Sequence, residues 1–269
     1  MSRAFLDGIT IGYDDQGVGE PLVLVHGHPF NRSMWRPQVE RFSPAWRVIT
    51  PDLRGYGETT VVPGKTPLET FTHDLANLLD HLGVDKFALG GLSMGGQIVM
   101  ECYRRFPERV RGLILADTFP KAETEAGKKR RNDLADRLLR EGMGPHADEV
   151  LPKMLAPQNI QALPTVVEHV LGMMRTTSAE GAAAALRGRA ERRDYVGLLS
   201  RVSVPALVVV GSDDEFTPVS DAEFMHERLP DSTLAVIDGA GHMPNLERKT
   251  EFNDTLARFL ELLPSKVGS

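Results

Sequence analysis

Cysteine is nearly absent. Cys102 is the single one in 269 residues, so no internal disulfide can brace the fold, and a cross-linked scaffold is excluded. Its place in a helix-like stretch reads as a small buried hydrophobe in a reducing compartment. Long apolar runs are also missing. No stretch approaches ~18 consecutive apolar residues, and the opening MSRAFLDGITIGYDD carries Asp7, Asp14 and Asp15 with no uninterrupted apolar segment. Neither a secretion signal nor a membrane span is expected, and the expected location is cytoplasmic. A basic excess is lacking too. The 31 Lys and Arg against 37 Asp and Glu leave a net charge of −6, which keeps the chain soluble and offers nothing to a polyanion, so nucleic acid is not expected as a partner. Internal repeats are absent, and the only low-complexity stretch is AAAA at 182–185. What is present suffices for a core: 41% hydrophobic residues, in a length that suits one large α/β unit with room for an insertion.

The pattern along the chain changes twice. FLDGITIGYDDQG reads as a hairpin, and PLVLVHG (21–27), WRVITPD (46–52), FALGGLS (87–93) and RGLILAD (111–117) read as buried strands. Stretches of helical period separate them, at 33–42, 68–82 and 95–106. Near-continuous apolar strands alternating with helices indicate a parallel sheet covered on both faces. Residues 118–200 are helix-like throughout, punctuated by Pro145, Pro152, Pro157 and Pro164. Alternation then resumes with PALVVVGSDD (205–214), a helix near 218–229, STLAVIDG (232–239) and a helix near 247–262. The expected organisation is therefore an α/β core of residues 1–117 and 201–269, interrupted by a helical cap at 118–200. That block holds 13 Lys and Arg against 11 Asp and Glu, and the small positive excess is read as solvated helix faces rather than as an anion site.

Within GLSMGG, Gly91, Ser93 and Gly95 match GxSxG, with an apolar strand before and a helix-period stretch after. A strand that turns at once into a helix forces its apex residue into strained φ/ψ, and flanking glycines relieve the clash. The Ser93 hydroxyl is then exposed at a helix amino end, where N–H groups favour developing negative charge. A serine is a weak nucleophile, so this reading requires a histidine base and an orienting carboxylate, in the chain order Ser, acid, His. His146, His169, His226 and His242 follow Ser93. Of these, His242 lies on a Gly-rich loop directly after a strand, at the carboxyl edge where ligand chemistry belongs in open α/β sheets. The acid is sought at the end of the strand in PALVVVGSDDEFTP, where Asp213, Asp214 and Glu215 are equally placed. An oxyanion site needs two backbone donors: one from Met94, the other from the HGHPFN loop, where His28 supplies the N–H and its ring lines the entrance. His26 reads as structural. No carboxylate or cysteine cluster accompanies the His26 and His28 pair, so no metal is expected.

From LVLVHGHPFN through DLRGYGET and GLSMGG to GSDDEFTP and GAGHMP, the chain resembles the α/β-hydrolase family over nearly its whole length. The resemblance implies the α/β-hydrolase fold, a mostly parallel eight-stranded sheet with helices on both faces and a helical cap. It selects Asp214 as the acid beside Ser93 and His242, and supports His28 and Met94 as oxyanion donors. Within the family, HGxP and GLSMGG are similar to the esterase, 3-oxoadipate enol-lactonase and cofactor-free haloperoxidase (perhydrolase) group. Two positions depart from the usual pattern: His28 replaces an aromatic or hydrophobic residue, and Thr59 replaces the Ser that ends DxRGxGxS. The implied activity is hydrolysis of a small carboxylic ester or lactone through an acyl-enzyme, without cofactor or metal. Perhydrolysis, C–C or thioester hydrolysis on the same triad, and a slow-turnover ligand receptor are the alternatives. Cap helices in such proteins roof the cleft, so Phe119, Met143, Met173 and Met174 are expected to line the acyl pocket. The expected partner is a small molecule, and a homo-oligomer is left open.

Overall fold

Alternation of side chains along a strand dictates how this sheet is covered. The structure, a computed structural model, describes residues 2–263; Met1 and residues 264–269, the ends of the two expected core ranges, lie outside them. β1 (Ser2–Leu6) and β2 (Ile9–Gln16) form a hairpin across Asp7 and Gly8, both at positive φ, as a tight two-residue turn requires. There follow β3 (Glu20–Val25), β4 (Trp46–Pro51), β5 (Phe87–Leu92), β6 (Val110–Ala116), β7 (Ala206–Gly211) and β8 (Ser232–Ile237). They form one eight-stranded sheet in the order β1-β2-β4-β3-β5-β6-β7-β8. β2 pairs antiparallel with β1 and β4, and the remaining pairs are parallel. β7 is shorter than the expected 205–214. It stops at Gly211 and frees Asp214 on a loop.

Successive residues of each central strand enter different cores. Val23, Val25, Leu89 and Val208 pack with Phe71, Leu75, Ile98 and Val99, which belong to α2 (Leu68–His81) and α3 (Met94–Arg105). Leu22, Leu24, Leu207 and Val209 face the other way, toward Val39 of α1 (Arg36–Phe42) and Phe252, Leu256 and Phe259 of α12 (Lys249–Leu262). Full burial of each such side chain contributes about 1.5–3 kcal/mol, so two-sided coverage of parallel strands is the dominant stabilisation. Cys102, on α3, is buried, and burial pushes its thiol up to about 12, which makes it unreactive.

Between β6 and β7 the chain is helical: α4 (Glu125–Glu141), α5 (Met143–Met154), α6 (Pro157–Ala162), α7 (Pro164–Thr176), α8 (Ala179–Ala190) and α9 (Val196–Leu199). Thr124 and Ser178 cap α4 and α8 by accepting from the Gly127 and Gly181 amides, satisfying donors that helix starts leave open. α8 packs against α4, and α5 against α7. Small side chains make the first contact close: Ala182 to Ala185 are all buried, and the Thr66 amide donates to the Ala184 carbonyl at 2.9 Å. Pro145 and Pro152 do not break the segment as the sequence suggests, because both fall inside α5. Pro145 occupies its first turn, where an N–H has no intrahelical partner. After β7 come α10 (Val219–His226), β8 and the short α11 (Pro244–Glu247). Among the described residues no helix is long and apolar enough to cross a membrane.

The strand order reverses at β3. The chain leaves β3 toward β4 and then places β5 on its other side, which opens a crevice at the carboxyl ends of β3 and β5. The HGHP loop leaves one of these ends, and Ser93 the other.

Candidate active site

Ser93 has φ 58° and ψ −116°, a left-handed-side conformation that a non-glycine residue holds at a cost of about 1–3 kcal/mol. The surroundings impose it. The Ser93 amide donates to the Ala116 carbonyl at 2.9 Å, and the Thr118 hydroxyl donates to the Ser93 carbonyl at 2.7 Å. A Cβ on Gly91 would lie 2.4 Å from the Gly95 carbonyl oxygen, and one on Gly95 would lie 2.2 Å from that of Val25. Only glycine at both positions lets β5, β3 and the start of α3 approach this closely. Met94 opens α3 and is fully buried, so its amide is one of the first-turn donors without an intrahelical acceptor.

Two other loops meet this turn. Of the three carboxylates after β7, Asp213 and Glu215 are exposed and Asp214 is buried. Asp214 Oδ2 pairs with His242 Nδ1 at 2.8 Å and accepts from the Thr217 hydroxyl at 2.5 Å; Oδ1 accepts from the Phe216 and Thr217 amides. Burial raises the Asp214 carboxyl, but His242, through its charge and hydrogen bond, then Thr217 and the Phe216 amide, outweigh it and hold the group below its ordinary value. The His242 loop is itself fastened. Its amide donates to the Met154 carbonyl at 3.1 Å, and Glu247 accepts from the Gly241 and Met243 amides through Oε1 and from the Ala156 amide and Asn159 Nδ2 through Oε2. The ring of Phe216 lies 5.1 Å from that of His242.

The loop after β3 abuts the same turn: a Cβ on Gly27 would sit 3.3 Å from Ser93 Cβ. His26 is structural in its hydrogen bonding, with Nδ1 donating to the Gly27 carbonyl and Nε2 accepting from the Leu53 amide at 2.9 Å. His28 differs from the expectation. Its ring does not merely edge an entrance: it is buried, with Nδ1 2.7 Å from the Tyr56 hydroxyl and Nε2 unpartnered. Burial, then the Arg189 guanidinium, His146 and Arg131, hold the imidazole well below its ordinary value, so it is neutral.

Ser93, His242 and His28 line one cavity of about 320 Å³, whose lining also includes residues of α4, α5 and α8. Phe119 is in the lining. Met143, Met173 and Met174 are not, and the expectation for them is corrected. Met143 packs into the α4–α8 contact with Leu138 and Leu186, and Met173 and Met174 are buried with Val170 and Met154. Helix-spaced methionines mark a buried face, and here that face meets other helices. Leu134, Val150, Met154 and Leu186 supply apolar lining instead, joined by His146 and by Arg131 and Arg189, which the sequence pattern leaves among solvated charges. A second cavity, about 370 Å³, lies around Arg32, Asp52 and Glu58; there Arg32 is already ion-paired with both carboxylates.

Asp117, at the end of β6 with φ 44°, is a residue the motif analysis overlooks. It has potential ligand atoms within 4.8 Å of those of Asp214 and His242, the spacing of a metal site. Most of those atoms are engaged in protein hydrogen bonds, however: Asp117 Oδ1 accepts from the Gly211 amide at 2.9 Å, and only its buried Oδ2 lacks a partner. Burial first, then the Asp214 carboxylate, push the Asp117 carboxyl well above its ordinary value. A group raised in this way keeps protons that the unfolded chain has released, so it makes stability rise as pH falls through its folded pKa toward the ordinary carboxylate range. Asp117→Asn is expected to flatten that rise, read as Tm against pH from neutral downward. An unchanged slope would show that Asp117 is not the responsible group.

A family model described as alpha/beta hydrolase fold matches residues 20–249. A 3-oxoadipate enol-lactonase of Acinetobacter baylyi is 34% identical over 248 residues, covering 91% of each chain. A thermophilic esterase from Thermogutta terrifontis, solved with malate bound, is 38% identical with a TM-score of 0.94, covering 97% of this chain and 98% of that one. The enol-lactonase from Burkholderia xenovorans has a TM-score of 0.90 at 26% identity, over 97% and 100% of the two chains.

Proposed function

Since the chain belongs to the alpha/beta hydrolase family, we propose that it hydrolyses a small carboxylic ester or lactone with Ser93 as nucleophile, His242 as base and Asp214 as the acid that orients it. The observation that carries the proposal is the 2.8 Å pairing of His242 Nδ1 with Asp214 beside the cavity that Ser93 also lines. That pairing fixes the tautomer with a lone pair on Nε2, the form needed to accept a proton. The enol-lactonases and the esterase among the similar proteins point to the same bond class.

In this mechanism His242 takes the Ser93 hydroxyl proton as the oxygen attacks the carbonyl carbon, and Asp214 stabilises the resulting imidazolium. The oxyanion is held by the amides of Met94 and His28, the first at the start of α3 and the second on the loop against Ser93. His242 returns the proton to the departing alkoxide. Water then attacks the acyl-serine, giving its proton to His242, and collapse releases the acid and restores the hydroxyl. The helices of residues 118–200 act as a cap: Leu134, Val150, Met154 and Leu186 line the cavity together with the nucleophile and shield the acyl group from bulk water.

The test is covalent. A fluorophosphonate added to the protein is expected to give one adduct by intact mass, mapped to the peptide carrying Ser93, with turnover of short esters abolished in parallel. Ester turnover that survives full labelling, or a label on another residue, would overturn the assignment.

A further inference from the structure

The cavity contains a cation that the ester chemistry does not use. Arg189, on α8, is 6% exposed and lines the same cavity as Ser93 and His242. Its neighbours are already paired. Arg131 and Arg192 share the Glu123 carboxylate at 2.5 and 2.7 Å, and Arg192 is also tied to the Lys121 carbonyl. Arg189 donates through Nε to the uncharged Gln97 side chain at 3.1 Å and, among the described residues, has no carboxylate within ion-pair distance. Three guanidiniums thus face one carboxylate. The other polar groups here add no negative charge: burial holds the His28 and His146 imidazoles below their ordinary values and keeps the Tyr56 phenol protonated by pushing it up.

Burial, followed by the like charges of Arg131 and Arg192, works against the Arg189 cation, yet a delocalised guanidinium stays protonated at neutral pH. An uncompensated buried charge is costly, and evidence of a missing partner extends beyond the charge. Two polar atoms around Arg189, Gln97 Nε2 and His28 Nε2, are buried without any hydrogen bond. The location is informative as well. Gln97 follows Ser93 by one turn of α3 and donates its amide to the Ser93 carbonyl, so the partner of Arg189 stands on the helix turn that begins at the nucleophile.

We propose that Arg189 anchors a carboxylate carried by the substrate, so that the preferred substrates are esters or lactones of short acids bearing a second, free carboxylate. The guanidinium fork binds that group while its ester carbonyl reaches Ser93. This inference rests on the serine hydrolase reading, and the closing experiment separates the two.

Hydrolysis of monoethyl glutarate and of ethyl pentanoate, matched in length and differing in one terminal carboxylate, is followed by pH-stat at constant ionic strength. The wild type is expected to favour the anionic ester in kcat/KM by about 10–100-fold, the value of a charge-assisted hydrogen-bonded pair. Arg189→Met should collapse that ratio to one or below, and Arg189→Lys should restore part of it. The ratio is the readout because damage common to both substrates cancels. Glutarate should also inhibit ethyl pentanoate hydrolysis competitively in the wild type, and this measurement stands even where a variant fails to fold. Equal use of the two esters by the wild type, with no inhibition by glutarate, would overturn the anchor and leave the esterase reading intact. An Arg189→Met protein that folds and keeps its preference would overturn it too. Turnover of neither ester together with no fluorophosphonate adduct is the separate failure of the parent reading.

Discussion

Ser93→Ala is expected to lower kcat for any ester substrate by several orders of magnitude, on the order of 10⁶-fold where serine and histidine act as one unit. Tm should move by no more than a few degrees. Ser93 sits at φ 58°, and alanine, like serine, holds that conformation because Ala116, Thr118 and the two flanking glycines enforce it. The expected split between lost rate and retained stability separates a reacting group from a packing residue. Stopped-flow turnover of a p-nitrophenyl ester alongside a thermal melt measures both. A variant with more than a tenth of wild-type kcat would remove Ser93 from the chemistry.

The second large effect is on stability. A methyl group on Gly95 would lie 2.2 Å from the Val25 carbonyl oxygen and 2.8 Å from that of His26. Both are backbone atoms of β3 and its exit loop, so neither can swing aside as a long side chain would. Gly95→Ala is therefore expected to cost about 3 kcal/mol or more, the upper range for overpacking. In a chain of this size that corresponds to a fall in Tm of roughly 6–12 °C. Activity should fall as well, since relief of the clash moves α3 away from β3 and takes the Met94 amide out of line with the His28 loop. A melt within 2 °C of wild type would refute the packing argument.

How much of this was legible in the sequence depends on what fixed each feature. The parallel strands were, because burial on both faces leaves apolar runs such as PLVLV and ALVVV that no other element explains. The Ser93 turn was legible for a related reason: the close approach of three backbones demands glycine, and Gly91 and Gly95 record the demand locally. Spacing alone did not separate Asp214 from Asp213 and Glu215; the choice came from family resemblance, and in space Asp214 is the one of the three that is buried and paired with His242. The methionine assignment failed because a helical period shows that a face is buried without showing which surface covers it. Arg189 was hidden by the same ambiguity from the opposite side. In AAAALRGRAERR a basic residue near a helix end looks like a solvated charge, and only the packing of α8 on α4 and the loop at Thr66 places it indoors. Asp117 and Glu247 carry no local signal, since their partners come from β7, α6 and the His242 loop.

Glu247 couples the two halves of the cleft more tightly than their separation in sequence suggests. One carboxylate oxygen serves the backbone on either side of His242, and the other serves Ala156 and Asn159 in the helical segment. The imidazole is therefore seated partly by the block that a protein engineer would treat as interchangeable. A chimera that takes residues 118–200 from another chain inherits a His242 loop seated as here only if the graft brings an amide at 156 and a carboxamide at 159. Without them Glu247 keeps two of its four donors, and the exchange alters the proposed reaction centre as well as the pocket it was meant to reshape.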